Sequence, residues 1–482
     1  MVTLELDPVH LAAKLPTPFQ ADELLQGQGA SNDQILQEAI SMSLQLSQEL
    51  GSTLGLEVRL HSNKLTVLSQ PVGHPGSDPF FELPLLASHI CLSQNRLAVA
   101  PATMGNLSDV WVLRLLAGDE AEIEKVMRSL AKLGAIRCDL PAMYVLGSKL
   151  SDGSMASIYR AQLHGVAEDP VESNVAIKVT PTLGSHQKRM TREMELHHAC
   201  HNHPNVNKLI ATFQVNEKSL GPSYAMAMPL PSQDLLDFVM NSSPSETMAA
   251  NLIKGVLGAL QHLHKQEIIY RKVSPENIFL TTDMRPVLSD FSLAMRLSDL
   301  KRFPIQLGHP GYTAPEILLN MEPTMQSDIF SAGGVLFFMV VKQQPFADAE
   351  VVTAVNNNVM RKIPLDHEEF KLYPKLKELV EGLMERSPLS RLDAATALMH
   401  ESLQQVVPVP HAPPGDPNAR SQRLRQRFVK MLPGDSPAPS VAEAEEGPSQ
   451  EEIAKGSTLE TDWRLSFSDS GRHEALVYRR RY

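Results

Sequence analysis

The loop around Lys272 carries the residues of this chain that are best placed to do chemistry. It reads YRKVSPEN over residues 270–277 and follows the segment from Thr247 to His264, whose apolar spacing predicts an amphipathic helix. Asp290 follows within the run SDFS. A lysine ammonium in such a loop can pair with phosphate oxygens or with the carboxylate of Asp290, but it cannot accept a proton from a hydroxyl.

A second set of candidate residues lies upstream, in two segments that predict strands. The first reads SDGSMASI over residues 151–158 and is rich in small side chains, which let backbone amides approach a phosphate closely. The second reads VAIK and ends at Lys178. It is followed by REMEL, residues 192–196, which contains two acidic residues, Glu193 and Glu195.

In this order and spacing, the segments resemble the protein kinase family. The YRKVSPEN loop is similar to the catalytic loop H-R-D-L-K-P-E-N, and SDFS is similar to D-F-G followed by an A-P-E segment at residues 314–316. The resemblance implies an α+β, bilobal protein kinase fold over residues 143–405. The small lobe is expected over residues 143–228 and the large lobe over residues 229–405.

The resemblance also implies a site for ATP and Mg²⁺. In the family, the strand lysine holds the α- and β-phosphates and pairs with a glutamate, for which Glu193 is preferred here and Glu195 remains the alternative. Ala227 is expected at the gatekeeper position, Met228 at the start of the hinge, and Asp234 near the ribose. The remaining implied nucleotide and metal ligands are Ser151, Gly153, Ala156, Ile158, Ala176, Lys178, Asn277 and Asp290.

The positions that would act on the substrate hydroxyl depart from the family pattern. Lys272 stands where the family has its catalytic aspartate, and Ser274 stands at the position of the loop lysine. His309 replaces a threonine of the activation segment. Loss of a positioned base removes roughly 10²–10⁴-fold in rate, so the pattern predicts impaired phosphoryl transfer beside a retained nucleotide side.

Residues 55–137 predict a separate small β domain. Short apolar runs, separated by Asn, Gly, Pro and Ser, are followed by a predicted helix from Asp119 to Leu133. Strands closed by one helix resemble a pleckstrin-homology (PH) domain. Phosphoinositide binding is not expected, because the first turn offers only Arg59, His61 and Lys64. A protein-docking role is the preferred interpretation.

The rest of the chain is expected to lack a core of its own. Residues 1–54 predict a loose leader with a helix from Asn32 to Leu50, and residues 406–482 are rich in Pro, Ser and Glu, which is typical of a disordered tail. The net charge of -11 gives no reason to expect nucleic-acid binding, and no apolar run is long enough for a membrane span. Few, scattered cysteines favour a reducing, cytoplasmic location.

Three hypotheses follow for function. The first is a catalytically impaired protein kinase (a pseudokinase) that binds ATP and acts as a signalling scaffold or allosteric regulator of a protein partner, such as an active kinase. The second is a low-activity Ser/Thr protein kinase, since positioning and Mg²⁺ supply most of the catalysis of phosphoryl transfer. The third is a nucleotide-free adaptor, if the altered hairpin at residues 151–158 cannot cradle phosphate.

Overall fold

A computed structural model of the chain describes a defined set of residues. These are residues 4–6, 54–60, 64–68, 79–93, 96–100, 111–115, 120–153, 156–164, 173–182, 186–217, 220–302, 311–346 and 351–404. The predicted leader helix and the predicted tail, residues 406–482, lie outside them, as does His309. Within the described ranges, every helix is too short or too polar to cross a membrane.

The N-terminal part of the chain forms an antiparallel sheet followed by a helix. Its elements are β1 Leu4–Leu6, β2 Leu54–Leu60, β3 Lys64–Leu68, β4 Pro79–Pro84, β5 His89–Ser93, β6 Arg96–Ala100, β7 Trp111–Leu115 and helix α1 Glu120–Lys132. These elements lie in the region where the sequence predicts short strands and a helix from Asp119 to Leu133, and the extent of the domain, residues 55–137, stays a prediction.

The leader contains a strand that the sequence did not predict. β1 pairs with β2 on one side and with β7 on the other, which places Leu4–Leu6 in the middle of the sheet order β4-β3-β2-β1-β7-β6-β5. A segment of three residues with a single alternation is too short to distinguish from a loop by its pattern. The resemblance to a PH domain stays a prediction.

The small lobe is built on a five-stranded antiparallel sheet. The elements are β8 Ile136–Arg137, α2 Leu140–Met143, β9 Tyr144–Asp152, β10 Ser157–Leu163, β11 Asn174–Pro181, α3 His186–Cys200, β12 Ala211–Glu217 and β13 Gly221–Pro229. The strands are ordered β12-β13-β11-β10-β9, and α3, which carries Glu193, packs beside the sheet.

One short strand joins the two sheets. β8 pairs in parallel with β5 of the N-terminal sheet and with β12 of the small lobe, so β1 to β13 form one continuous sheet. Backbone hydrogen bonds from Ala87 N to Gly134 O (2.8 Å) and from Ile136 N to Ser88 O (2.7 Å) complete the junction. The N-terminal module and the small lobe therefore share a backbone ladder.

The large lobe is helical around an apolar core. The helices Glu246–His264 and Met325–Val341 form its centre, and side chains of both, among them Leu260, Val335 and Phe338, are fully buried. The elements are β14 Gln233–Asp234, α4 Leu235–Asn241, α5 Glu246–His264, β15 Ile268–Ile269, β16 Ile278–Leu280, β17 Pro286–Leu288, β18 Met295–Arg296, α6 Pro315–Leu318, α7 Met325–Val341, α8 Val351–Met360, α9 Glu368–Leu372, α10 Pro374–Leu383 and α11 Ala394–Leu398, with 3-10 turns at Pro275–Asn277, Leu297–Arg302 and Glu401–Leu403.

A buried ion pair links the segment before α11 to α6 in this lobe. Arg391 donates from its two terminal nitrogens to both oxygens of Glu316, at 2.7 and 3.0 Å, and Ser327 also donates to Glu316. A sheet-rich small lobe followed by a helical large lobe is the α+β bilobal arrangement that the sequence predicts.

Candidate active site

Asp328, at the start of α7, fixes the loop that carries Lys272. Its buried carboxylate accepts hydrogen bonds from the backbone amides of Tyr270 at 2.8 Å and Arg271 at 2.7 Å, and from His264 Nε2 at 2.9 Å. Arg271 adopts a left-handed backbone conformation with φ 65°. Such a conformation is costly for a residue with a Cβ, so the amide bonds to Asp328 hold a strained turn in place.

Lys178 on β11 pairs with two carboxylates. Its Nζ lies 2.5 Å from Glu193 Oε1 and 2.8 Å from Asp290 Oδ1. Burial favours the neutral forms and raises the pKa of the Glu193 carboxyl, while both carboxylates together raise the pKa of the Lys178 ammonium despite its burial. Of the two glutamates considered on α3, the structure thus pairs Glu193 with the strand lysine.

Lys272 forms the second ion pair of Asp290. Its Nζ donates to Asp290 Oδ2 and lies 3.3 Å from Ser292 Oγ. Burial alone would raise the pKa of Asp290, but the ammonium groups of Lys178 and Lys272 hold it well below its ordinary range. The carboxylate therefore stays ionised between two cations, and the residue at the place of the family's base is bound to it.

Asn277 and Ser274 complete the loop around Lys272. Asn277 Nδ2 donates to Lys272 O at 3.2 Å and to Ser274 Oγ at 2.9 Å, and Ser274 is buried. The Asn277 amide nitrogen therefore braces the loop, which leaves the uncharged side-chain oxygen as the atom that could bind a metal ion. Ser274 contributes a hydroxyl contact inside the loop instead of the charge that the family's lysine brings.

Three rings in contact, one pair stacked and one pair edge-on, connect α3 with the loop. The His197 ring stacks on Phe291 at 4.6 Å between centroids, and Phe291 meets the edge of Tyr270 at 5.4 Å. His197 Nε2 lies 2.6 Å from Asn207 O, and burial lowers the pKa of His197 to about 4. Sequence reasoning missed His197, although its position one helical turn after Glu193 was a usable signal.

The hairpin before Lys178 is partly described. Ser151 lies opposite Ile158 in the β9–β10 pair, and Gly153 N donates to Ala156 O at 3.0 Å. The turn is therefore closed by a backbone bond between two of the three positions where the family has glycine. Residues 154–155, at its tip, lie outside the described residues.

The strand register corrects the gatekeeper assignment. Residues directly opposite in neighbouring strands share a face, and Ala176 lies opposite Met228 while Ile177 lies opposite Ala227. Ala227 packs with Ile177 in a cluster on the other face of the sheet. Met228, and not Ala227, therefore lies on the same face as Ala176 and Lys178, because strand residues alternate between faces.

Asp234 serves as a helix cap. Its side chain is 2% exposed, and its Oδ1 accepts the amide of Asp237 at 2.8 Å at the start of α4. An N-terminal cap of this kind stabilises a helix by about 1 kcal/mol. A contact of Asp234 with ribose stays a prediction, since the capping bond already occupies one carboxylate oxygen.

The N-terminal module packs directly on α3, the helix that carries Glu193. Met190 and Met194 of α3 share a buried apolar cluster with Ala87 and Ile136 of the junction. His198 Nε2 also lies 3.1 Å from Lys132 O at the end of α1. Two domains are predicted from the sequence but their contact is not, because packing between domains has no periodic pattern.

The family assignment follows from the sequence match and the fold together. Residues 144–403, more than half of the chain, match the protein kinase domain, and the chain belongs to that family. The family generally uses ATP and Mg²⁺.

The curated relatives are serine/threonine-protein kinases. The chain is 26% identical over 286 residues to the serine/threonine-protein kinase PLK4 of Drosophila simulans, a match that covers 58% of this chain and 36% of the relative. It is 28% identical over 209 residues to the serine/threonine-protein kinase PAK mbt of Drosophila melanogaster, covering 43% of this chain and 32% of that protein. The matches thus span about a third of each relative.

Proposed function

We propose that this chain is a pseudokinase that binds ATP in the cleft and signals through a protein partner rather than by phosphoryl transfer. The observation that carries the proposal is the ion pair between Lys272 and Asp290 at the position of the family's catalytic aspartate. A lysine that is held on this carboxylate cannot take the proton of a substrate hydroxyl. Its charge also stabilises the phosphates of the ground state as much as those of the transition state.

The nucleotide side of the cleft supports binding. Lys178 is held by Glu193 and Asp290, and the backbone of the loop is fixed by Asp328. These are the groups that would position the phosphates of ATP in a family member. Because α3 carries Glu193 and packs on the N-terminal module, a bound nucleotide would favour one position of α3 and thereby change the surface that a partner meets.

A slow Ser/Thr protein kinase is the second candidate. The fold keeps the framework around the phosphates: the Lys178–Glu193 pair, the hydrogen bonds between Asp328 and the loop backbone, and the ring contact between His197 and Phe291. A small residual transfer rate is compatible with that framework.

A nucleotide-free adaptor is the third candidate, and the departure of residues 151 and 156 from glycine favours it. A cytoplasmic location and a protein partner, such as an active kinase, are part of the proposal.

Thermal unfolding of the full chain with ATP separates the two nucleotide-binding candidates from the nucleotide-free adaptor. A ligand at about 100 times its Kd stabilises a protein by ~2.7 kcal/mol. For a domain of this size that corresponds to a rise in Tm of about 5–10 °C. The rise is expected for the wild type and for the surface variant Lys371→Met, and it should be absent in Lys178→Met. No rise at millimolar ATP would contradict the proposal and leave the adaptor.

A further inference from the structure

The two oxygens of Asp290 are both bound by lysine ammonium groups. Lys178 Nζ lies 2.8 Å from Oδ1, to which the Ser292 amide also points at 3.3 Å, and Lys272 Nζ donates to Oδ2. Asp290 stands at the position of the family's metal-binding carboxylate, and Asn277 stands at the position of the second metal ligand, which is uncharged. The donor set therefore offers one neutral amide oxygen and a carboxylate whose charge is already balanced.

This donor set does not fit Mg²⁺. The ion requires near-ideal octahedral oxygen ligands at about 2.0–2.1 Å, and proteins usually supply it with one or two carboxylates. Within the described ranges, no cluster of three or more His, Cys, Asp or Glu side chains could hold a metal ion in place of Asp290. A divalent ion on Asp290 Oδ2 would also lie against the Lys272 ammonium and be repelled by it.

The charge of Lys272 replaces the charge of the metal. A change from the family's aspartate to lysine adds two positive charges to the cleft, which equals the charge of one Mg²⁺ ion. The ammonium lies on the same carboxylate that would otherwise hold the ion. The total charge that faces a triphosphate is therefore preserved without a metal.

Both lysines have a donor left for a phosphate. An ammonium group has three N–H donors. Lys178 directs two of them to Glu193 and Asp290, and Lys272 directs two to Asp290 and Ser292. The Lys272 side chain is 31% exposed, so it can be reached from the cleft.

From this geometry we propose that the cleft binds a nucleoside triphosphate in its metal-free form, with Lys178 and Lys272 bridging Asp290 and the phosphates. The inference rests on the proposed function, because it assumes that the cleft takes a nucleotide at all. It adds that a divalent ion is not part of the ligand. Since Mg²⁺ in solution binds ATP itself, excess Mg²⁺ competes with the site instead of completing it.

Isothermal titration of the full chain with ATP tests this, once with EDTA and once with excess MgCl₂. We expect binding in EDTA and a higher apparent Kd in excess MgCl₂, because Mg²⁺ then withdraws the metal-free nucleotide. Lys272→Met should weaken binding in EDTA by about tenfold or more, because it removes a charged contact to phosphate. Lys272→Asp should bind at least tenfold more tightly with Mg²⁺ than with EDTA. Lys371→Met, which removes an exposed lysine paired with Glu368, should match the wild type in both buffers.

The outcomes distinguish the metal-free site from the proposed nucleotide-binding function. Binding by the wild type only in the presence of Mg²⁺ overturns the metal-free site and leaves the proposed nucleotide-binding function intact. The absence of binding in both buffers overturns the proposed function, and the metal-free site with it. Equal binding by the wild type and Lys272→Met in EDTA also contradicts the inference, because Lys272 would then not contact the phosphates.

Discussion

Lys272 Nζ donates a hydrogen bond to Asp290 Oδ2, and Lys178 Nζ lies 2.8 Å from Oδ1 of the same carboxylate. The residue at the position of the family's base and the residue at the position of its metal ligand thus form an ion pair with one another. Each therefore opposes the role that the other would have in phosphoryl transfer. Several consequences can be measured.

Replacement of Lys272 by aspartate should create transfer activity. The variant supplies a base in the loop held by Asp328, and it frees Asp290 for a metal. A general base contributes about 10²–10⁴-fold, and we expect the lower end because Ser274 still replaces the loop lysine. Transfer of labelled phosphate from Mg²⁺-ATP to a peptide mixture should be about 10²-fold faster for Lys272→Asp than for Lys272→Asn. Equal rates for the two variants would mean that the framework is defective beyond its base.

Removal of Lys178 should destabilise the fold as well as the nucleotide site. Lys178→Met leaves the buried carboxyl of Glu193 without its cation, beside Asp290. Breaking one partner of a buried pair costs about 3 kcal/mol or more, and urea unfolding measures that loss. The double variant Lys178→Met/Glu193→Gln should recover much of it, because the orphaned charge is gone. A double variant no more stable than the single variant would contradict a direct pairing.

His197 should make the protein less stable in mild acid. Burial lowers its folded pKa to about 4, below the ordinary value of 6.5, so the unfolded chain takes up the proton first as the pH falls. The contribution of this group to stability is complete only well above pH 6.5, and the free energy of unfolding falls by about 1.5 kcal/mol between pH 6.5 and 5. His197→Phe keeps a ring against Phe291 but cannot titrate. Urea unfolding at both pH values should show a smaller acid loss in the variant; His89, with a pKa also lowered to about 4 by burial, remains in both.

The N-terminal module should hold α3 in place. Ile136 is 2% exposed and packs with Met190 and Met194 of that helix. Ile136→Ala should cost about 3 kcal/mol and increase hydrogen exchange in α3. The matched control Leu372→Ala, at a side chain that is 72% exposed, should change stability by less than about 0.5 kcal/mol. Unchanged exchange in α3 in the Ile136 variant would argue against coupling between the module and Glu193.

The sequence predicted the elements of the fold better than their contacts. The strands and helix of the N-terminal module follow from short apolar runs and one helical stripe, which are local signals. β1 and β8 were missed because segments of two or three residues carry no period. The junction through β8 depends on pairing between segments far apart in the chain, which one sequence does not encode in any local pattern.

The same distinction holds within the site. The pairing of Lys178 with Glu193 follows from motif spacing. For Lys272 the sequence leaves two partners open, phosphate oxygens and Asp290, and the structure shows the contact with Asp290. The assignment of Ala227 as gatekeeper was wrong because the hinge motif does not fix strand register, and a slip of one residue exchanges the two faces. The capping bond of Asp234 depends on the local turn before α4.

Transfer of the labelled γ-phosphate of ATP by the wild-type chain, measured beside Lys178→Met, tests the central claim most directly. If Lys272 has replaced the base, both proteins should incorporate label into themselves and into added protein substrates only at the background rate, with Mg²⁺ or Mn²⁺. Transfer by the wild type at about 1 s⁻¹ or faster, as in active kinases, that is abolished in Lys178→Met would contradict the account and establish an enzyme.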